Sequence, residues 1–128
     1  MKIAIDTSAY SAMGRGDKSV LSVIETATTL GICAVVLGEL YTGFRSGSHE
    51  PVNRGLLKRF LDKPSVKVLP VTGETALHYA EIDAYLRRKG RPIPRNDIWI
   101  AASAMEHGMQ LLTKDSHFAE IPLLVSRP

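Results

Sequence analysis

The sequence predicts an α/β fold, a three-layer α/β/α arrangement around a central, mostly parallel sheet of four to five strands flanked by helices. Two features predict it. Short apolar runs rich in β-branched residues alternate with longer stretches of helical periodicity, the pattern of a parallel sheet covered on both faces. Acidic residues also stand where the strand-like runs end. Asp6 follows Lys2-Ile3-Ala4-Ile5, Glu39 lies just past Cys33-Ala34-Val35-Val36, Asp97 opens a helix, and Asp115 follows Leu111-Leu112-Thr113. In parallel α/β sheets the carboxyl ends of the strands form the crevice where ligands bind.

Residues 2–5 form the first strand, followed by a polar turn and a short helix. A helix over 19–30 carries Val20, Ile24 and Ala27 on one face, with Gly31 placed to end it. The β-branched stretch 32–36 is the second strand. Leu37 to Phe44 reads as a helix bearing Glu39, a Gly/Ser loop occupies 46–48, and a helix over 51–62 presents Leu56, Leu57, Phe60 and Leu61. Val66 to Val71 is the third strand, and Pro70 puts it near an edge. Thr72 caps a long helix over 73–89, whose buried stripe includes Ala76, Leu77, Ala80 and Ala84. Pro92-Ile93-Pro94 forms a stiff extended connector. Asn96 caps a helix from Asp97 to His107 that Gly108 closes, and 110–113 is the fourth strand. A turn or short helix starts at Asp115, and Leu123 to Val125 supplies the last strand.

At 128 residues the chain reads as one domain, 1–128, with a core of its own and no linker or repeat. Its single cysteine, Cys33, lies in an apolar run, so an internal disulfide is excluded and an inert buried thiol is expected. No apolar run approaches the roughly 20 residues of a membrane span. MKIAID reads as a strand rather than a signal peptide. The expectation is a cytoplasmic protein with no membrane partner.

Charge placement says more than the net value of +3. Arg87, Arg88, Lys89, Arg91 and Arg95 fall within nine residues that hold no acid, which leaves the remainder of the chain at −2. Cations suit a helix C-terminus. They also suit a phosphate backbone, and this run ends two residues before Asp97.

The four acids come from separate segments but the same side of the inferred sheet. Carboxylates brought together repel unless a cation lies among them, and oxygen donors suit a hard divalent ion. Each acid alone has a plain explanation as a helix cap, an Asx turn or a dipole partner. Glu39 sits on an otherwise apolar helix, where a carboxylate is costly unless paired or bound to metal. Gly38 beside it suggests close approach of another group, and the small Ala101 and Ala102 suggest tight packing that holds Asp97 rigid.

Four blocks in order carry a family resemblance. They are Ile5-Asp6-Thr7-Ser8, Val36-Leu37-Gly38-Glu39-Leu40-Tyr41-Thr42-Gly43-Phe44, Ile93-Pro94-Arg95-Asn96-Asp97-Ile98-Trp99-Ile100-Ala101-Ala102 and Leu112-Thr113-Lys114-Asp115-Ser116-His117-Phe118. Together they span essentially the whole chain, which resembles the PIN-domain ribonucleases, specifically the VapC-type toxins of toxin–antitoxin pairs. The resemblance implies a PIN-like fold and a catalytic set of Asp6, Glu39, Asp97 and Asp115. Asp6, Asp97 and Asp115 would hold Mg²⁺ or Mn²⁺, with Glu39 as a further ligand, water-orienting group or base. Thr7, Ser8, Asn96 and Thr113 match supporting positions. The resemblance further implies cleavage of RNA to 5′-phosphate and 3′-hydroxyl ends, a homodimer, and a cognate antitoxin whose tail blocks the site. Arg87, Arg88, Lys89, Arg91 and Arg95 are the candidate substrate contacts.

Rival readings fit less well. His49, His78, His107 and His117 lack zinc-like spacing, although His117 is near enough to Asp115 to contact substrate. Trp99, Tyr41 and Phe44 are expected in packing rather than base stacking, and Tyr79 and Tyr85 on the long helix likewise. A phosphoryl-accepting receiver or a haloacid-type phosphatase is disfavoured by Thr7-Ser8 after Asp6, where such proteins place a further acid. The remaining alternative is a catalytically silent PIN-like module that binds RNA or protein.

Overall fold

The computed structural model describes residues 1–121 and the backbone of 126 and 127. Five parallel strands, β1 (Lys2–Ile5), β2 (Thr29–Cys33), β3 (Val66–Leu69), β4 (Gln110–Leu112) and β5 (Ser126–Arg127), lie in the order β3-β2-β1-β4-β5. Six helices connect them among the described residues: α1 (Thr7–Gly14), α2 (Lys18–Thr26), α3 (Ala34–Ser46), α4 (Glu50–Leu61), α5 (Gly73–Lys89) and α6 (Arg95–Glu106). A 3-10 turn, Ser116–Glu120, follows β4. None of these helices is long and apolar enough to cross a membrane.

The central strand explains its own sequence. Ile3, Ala4 and Ile5 are all buried, because β1 has a strand on either side and helices over both faces. Chain progression reverses at β1: the steps to β2 and β3 run one way, while β4 lies on the other flank. Right-handed crossovers therefore lay α1 to α4 over one face and α5 with α6 over the other. On that second face Tyr79 of α5 packs against Trp99 of α6 in a tilted ring contact, with centroids 4.3 Å apart. The reversal opens a crevice at the carboxyl ends of β1 and β4, the switch point of the sheet. Ile5 pairs with Leu112, so the residues leaving these two strands emerge level with each other.

Several boundaries differ from the sequence expectation, each for a tertiary reason. The second strand is Thr29–Cys33 rather than 32–36, and Val35 and Val36 belong to α3. Their β-branching is overridden because Val36 and Leu40 bury one turn apart on the same helix face. The preceding helix accordingly stops at Thr26, and Gly31 sits inside β2 instead of ending a helix. The stripe expected on α5 is displaced. Thr75, Ile82 and Leu86 are its buried residues, while Leu77 is 62% exposed and Ala76, Ala80 and Ala84 face outward. Alanine is small enough for either face, so it reported the helix but not its phase. Pro94, not Asn96, is the N-cap of α6. A side chain added at Gly38 would meet open space, so packing does not demand that glycine. The strand expected over Leu123 to Val125 lies outside the described residues.

Gly31 leaves room for two buried side-chain ends beside β2. A Cβ there would fall 2.6 Å from Met109 Sδ and 2.8 Å from Leu69 Cδ1, both side chains being buried. Gly31→Val should therefore cost about 1–3 kcal/mol, the usual penalty for forcing atoms into a filled core. Urea denaturation measures it, and an unchanged midpoint would show that the layer opens freely.

Candidate functional site

Asp6 leaves β1 and becomes the N-cap of α1, where its Oδ1 accepts the Ala9 backbone N–H at 2.8 Å and the Ser8 hydroxyl at 2.8 Å. Its other oxygen accepts the Thr113 hydroxyl, arriving from the end of β4. Asp6 is 3% exposed, so burial pushes its carboxyl above the ordinary value; the bonds from Thr113, Ala9 and Ser8 oppose that rise, and the charge on Asp115 adds to it. The two strand ends are stitched further by Lys114 N–H donating to Ser8 Oγ at 2.8 Å and Asp115 N–H to Thr113 Oγ1 at 2.9 Å. Sequence pairs at strand ends have become one polar junction.

Asp115 caps the 3-10 turn, its Oδ1 accepting the His117 N–H at 2.9 Å. Asp97 enters from the first turn of α6, beside the fully buried Ala101 and Ala102. Imidazole Nδ1 of His117 lies between the two acids, 2.9 Å from Asp97 Oδ2 and 3.1 Å from Asp115 Oδ1. Burial raises the Asp97 carboxyl; the His117 bond opposes this, and the charges on Asp115 and Glu39 reinforce it. The hydrogen bond to Asp97, with Asp115 nearby, raises His117 in turn. That dual role for His117 was not foreseen, although its spacing from Asp115 was the available signal.

Glu39 reaches the same place because α3 starts directly at the end of β2, with Cys33 as its N-cap. One carboxylate oxygen accepts the Thr7 hydroxyl, and the other accepts Asn96 Nδ2 at 3.3 Å. Glu39 is thus tied to the neighbours of Asp6 and Asp97. A cavity of about 270 Å³ is lined by Asp6, Thr7, Ser8, Ser11, Glu39, Asp97, Ile100 and Asp115. All four predicted acids border it.

The donor set fits a divalent cation. Carboxylates from four elements share one small cavity, and the charges of Asp115 and Glu39 still act against Asp6 and Asp97. Donor atoms of Asp97, Asp115 and His117 lie within 4.8 Å of one another. A positive ion would offset that residual repulsion.

The PIN domain family profile matches residues 3–124. The chain belongs to the PIN-domain family. Within it the chain stands with the VapC ribonucleases. It is 29% identical to ribonuclease VapC5 of Mycobacterium tuberculosis over 119 residues, covering 91% of this chain and 85% of that one. Ribonuclease VapC4 of the same organism is 30% identical over 92 residues, covering 72% and 71%. The solved VapBC2 of Rickettsia felis, bound to a DNA fragment from its promoter, superposes with a TM-score of 0.86 at 25% identity, over 99% and 98% of the two chains.

The basic run of this PIN domain divides in two. Arg87 pairs with Asp83 at 2.8 Å on its own helix, and Lys89 binds Glu120 through both carboxylate and backbone oxygen, each at 3.1 Å. Arg88, Arg91 and Arg95 are exposed and make no ion pair among the described residues. Lys89 therefore grips the 3-10 turn behind Asp115. A second clamp precedes it: Lys114 Nζ contacts Asp17 Oδ2 at 3.2 Å and Ser19 Oγ at 3.1 Å.

Asp17 is the N-cap of α2, and bonds from Ser19, Val20 and Lys114 lower its carboxyl to about 2 from 3.8. A lowered folded-state value stabilises the protein above the unfolded value and ceases to do so as pH falls through the folded one. Asp17→Ala should therefore melt below the parent at pH 7, with the gap closing as pH drops from about 4 to about 2. Melting curves across that range test it, and a gap independent of pH would refute it.

Proposed function

We propose that this chain is a divalent-metal-dependent endoribonuclease, the toxin of a toxin–antitoxin pair held inactive by its cognate antitoxin. The observation that carries the reading is the convergence of Asp6, Glu39, Asp97 and Asp115 on one cavity, in a chain whose relatives are named VapC ribonucleases. Asp6, Asp97 and Asp115 would hold Mg²⁺ or Mn²⁺, the ions that oxygen-rich sites favour. Bound there, the ion supplies Lewis-acid stabilisation of phosphate charge and makes water acidic enough to attack at neutral pH.

The chain's own residues do the rest. Thr113, Ser8 and the Ala9 amide keep Asp6 oriented. Glu39, tethered by Thr7 and Asn96, faces the cavity and can orient the attacking water or take its proton. Arg88, Arg91 and Arg95, exposed and near Asp97 in sequence, would receive the phosphates flanking the scissile linkage. The likeness to VapBC2 of Rickettsia felis and to VapBC-5 of Mycobacterium tuberculosis, described as a member of the VapBC family of toxin–antitoxin systems, supports an antitoxin partner. A cleft of about 730 Å³, whose lining includes Tyr10, Met13, Phe44, Leu56 and Phe60 together with Asn53, Arg59 and Lys63, gives such a partner a mixed apolar and basic surface to cover. A homodimer belongs to the same family-based reading.

Degradation of mixed single-stranded RNA should require Mg²⁺ or Mn²⁺ and stop on chelation. Asp6→Asn and Asp97→Asn should each lower the rate about 10²–10³-fold, as expected when several kcal/mol of charge stabilisation are lost. Circular dichroism of these variants should match the parent, since asparagine can also cap α1 at position 6 and Asp97 lies inside the first turn of α6 without capping it. Full activity in either variant would refute the assignment.

Arg91→Ala should weaken RNA binding and reduce the log–log salt slope by about 0.7, the contribution of one phosphate contact on a single strand. Titration of a labelled oligonucleotide at several salt concentrations measures this. An unaltered slope would mean that Arg91 is only part of a solvated helix end.

A further inference from the structure

The donor cluster at this site is not made of oxygen alone. Nδ1 of His117 lies within 4.8 Å of a carboxylate oxygen from Asp97 and one from Asp115, and it is 2.9 Å and 3.1 Å from those nearest it. Its position is built rather than incidental. Asp115 Oδ1 accepts the His117 N–H, the next residue, Phe118, is buried at 1% exposure, and Lys89 holds Glu120 at the far end of the turn. The ring is thereby presented from a backbone segment fastened at three points.

We propose that His117 is a metal ligand through Nδ1 and that this nitrogen biases the site toward Mn²⁺ over Mg²⁺. The inference rests on the metal-dependent reading above and goes beyond it by naming a selectivity residue. Mg²⁺ prefers oxygen, demands near-ideal octahedral geometry and gives up water reluctantly. Imidazole is a better donor to first-row transition ions, whose affinities rise from Mn²⁺ along the series. With its proton on Nε2, the ring turns the Nδ1 lone pair toward the gap that Asp97 and Asp115 border. Two carboxylates and one imidazole then form a mixed set that an all-acid site lacks. An ion-pair role for the same ring predicts no nitrogen on the metal and no preference between the ions.

The experiment uses the full chain and His117→Gln, whose side chain is 48% exposed in the parent, so the turn keeps its buried Phe118. Mn²⁺ is added to each, and pulsed electron paramagnetic resonance reads nitrogen coupling to the bound ion. Calorimetric titrations with Mn²⁺ and with Mg²⁺ run in parallel. The expected result is nitrogen coupling in the parent, none in His117→Gln, and a loss of Mn²⁺ affinity of about tenfold or more against about threefold or less for Mg²⁺. Bound Mn²⁺ without nitrogen coupling, or equal losses for the two ions, would overturn the ligand role while leaving the metal reading in place. Failure of both ions to bind the parent would overturn both.

Discussion

Like charges gathered in a crevice of low dielectric repel, and the carboxyl edge of this sheet is built to hold them together. Asp6 is enclosed by donors from α1 and from the end of β4. Asp97 and Asp115 share one imidazole. Glu39 takes a hydroxyl from the first residue of α1 and an amide from the first turn of α6. Asp6, Glu39 and Asp97 are thus each satisfied by a residue from another segment, and the crossed bonds tie the elements to one another. The repulsion is reduced but not removed, since Asp115 still raises Asp6, and Asp115 with Glu39 raises Asp97. What remains is the electrostatic incentive for a cation.

Sheet topology determines where that incentive is located. Because the chain reverses direction at β1, a crevice opens above the ends of β1 and β4. The pairing of Ile5 with Leu112 sets Asp6 and Thr113 side by side. The segment after β4 is then secured by two lysines, Lys114 to the cap of α2 and Lys89 to Glu120. Lys89 illustrates how a basic run divides: one cation braces the turn that carries Asp115 and His117, while Arg88, Arg91 and Arg95 stay exposed. A loop fastened in this way presents its side chains with less ordering cost than a free one.

Much of the fold was legible because burial leaves a periodic trace. The continuous apolar run of β1, the alternation of strand and helix, and Pro70 at the edge strand β3 all appear in the chain as written. Boundaries were harder where local propensity and packing disagree. Val35 and Val36 read as strand yet lie in α3, since the sheet ends level at Cys33 and the apolar stripe continues helically through Leu40. On α5 the alanines misreported the buried face, which Thr75, Ile82 and Leu86 define against α6. Asn96 looked like a cap and instead became a partner of Glu39, a contact across 57 positions that no local pattern encodes.

The sequence by itself determined the fold class, the identity of the four acids and the blocks that place the chain among PIN domains, because these follow from periodicity and from motifs read in order. Tertiary structure alone decided that His117 would bridge Asp97 and Asp115, that Lys89 would clamp a turn, and that Gly31 would admit Met109 and Leu69. The physical reason is distance along the chain. Burial and strand-end position are local properties, whereas a bond between an α6 acid and a histidine 20 residues later exists only once the sheet has brought their elements together.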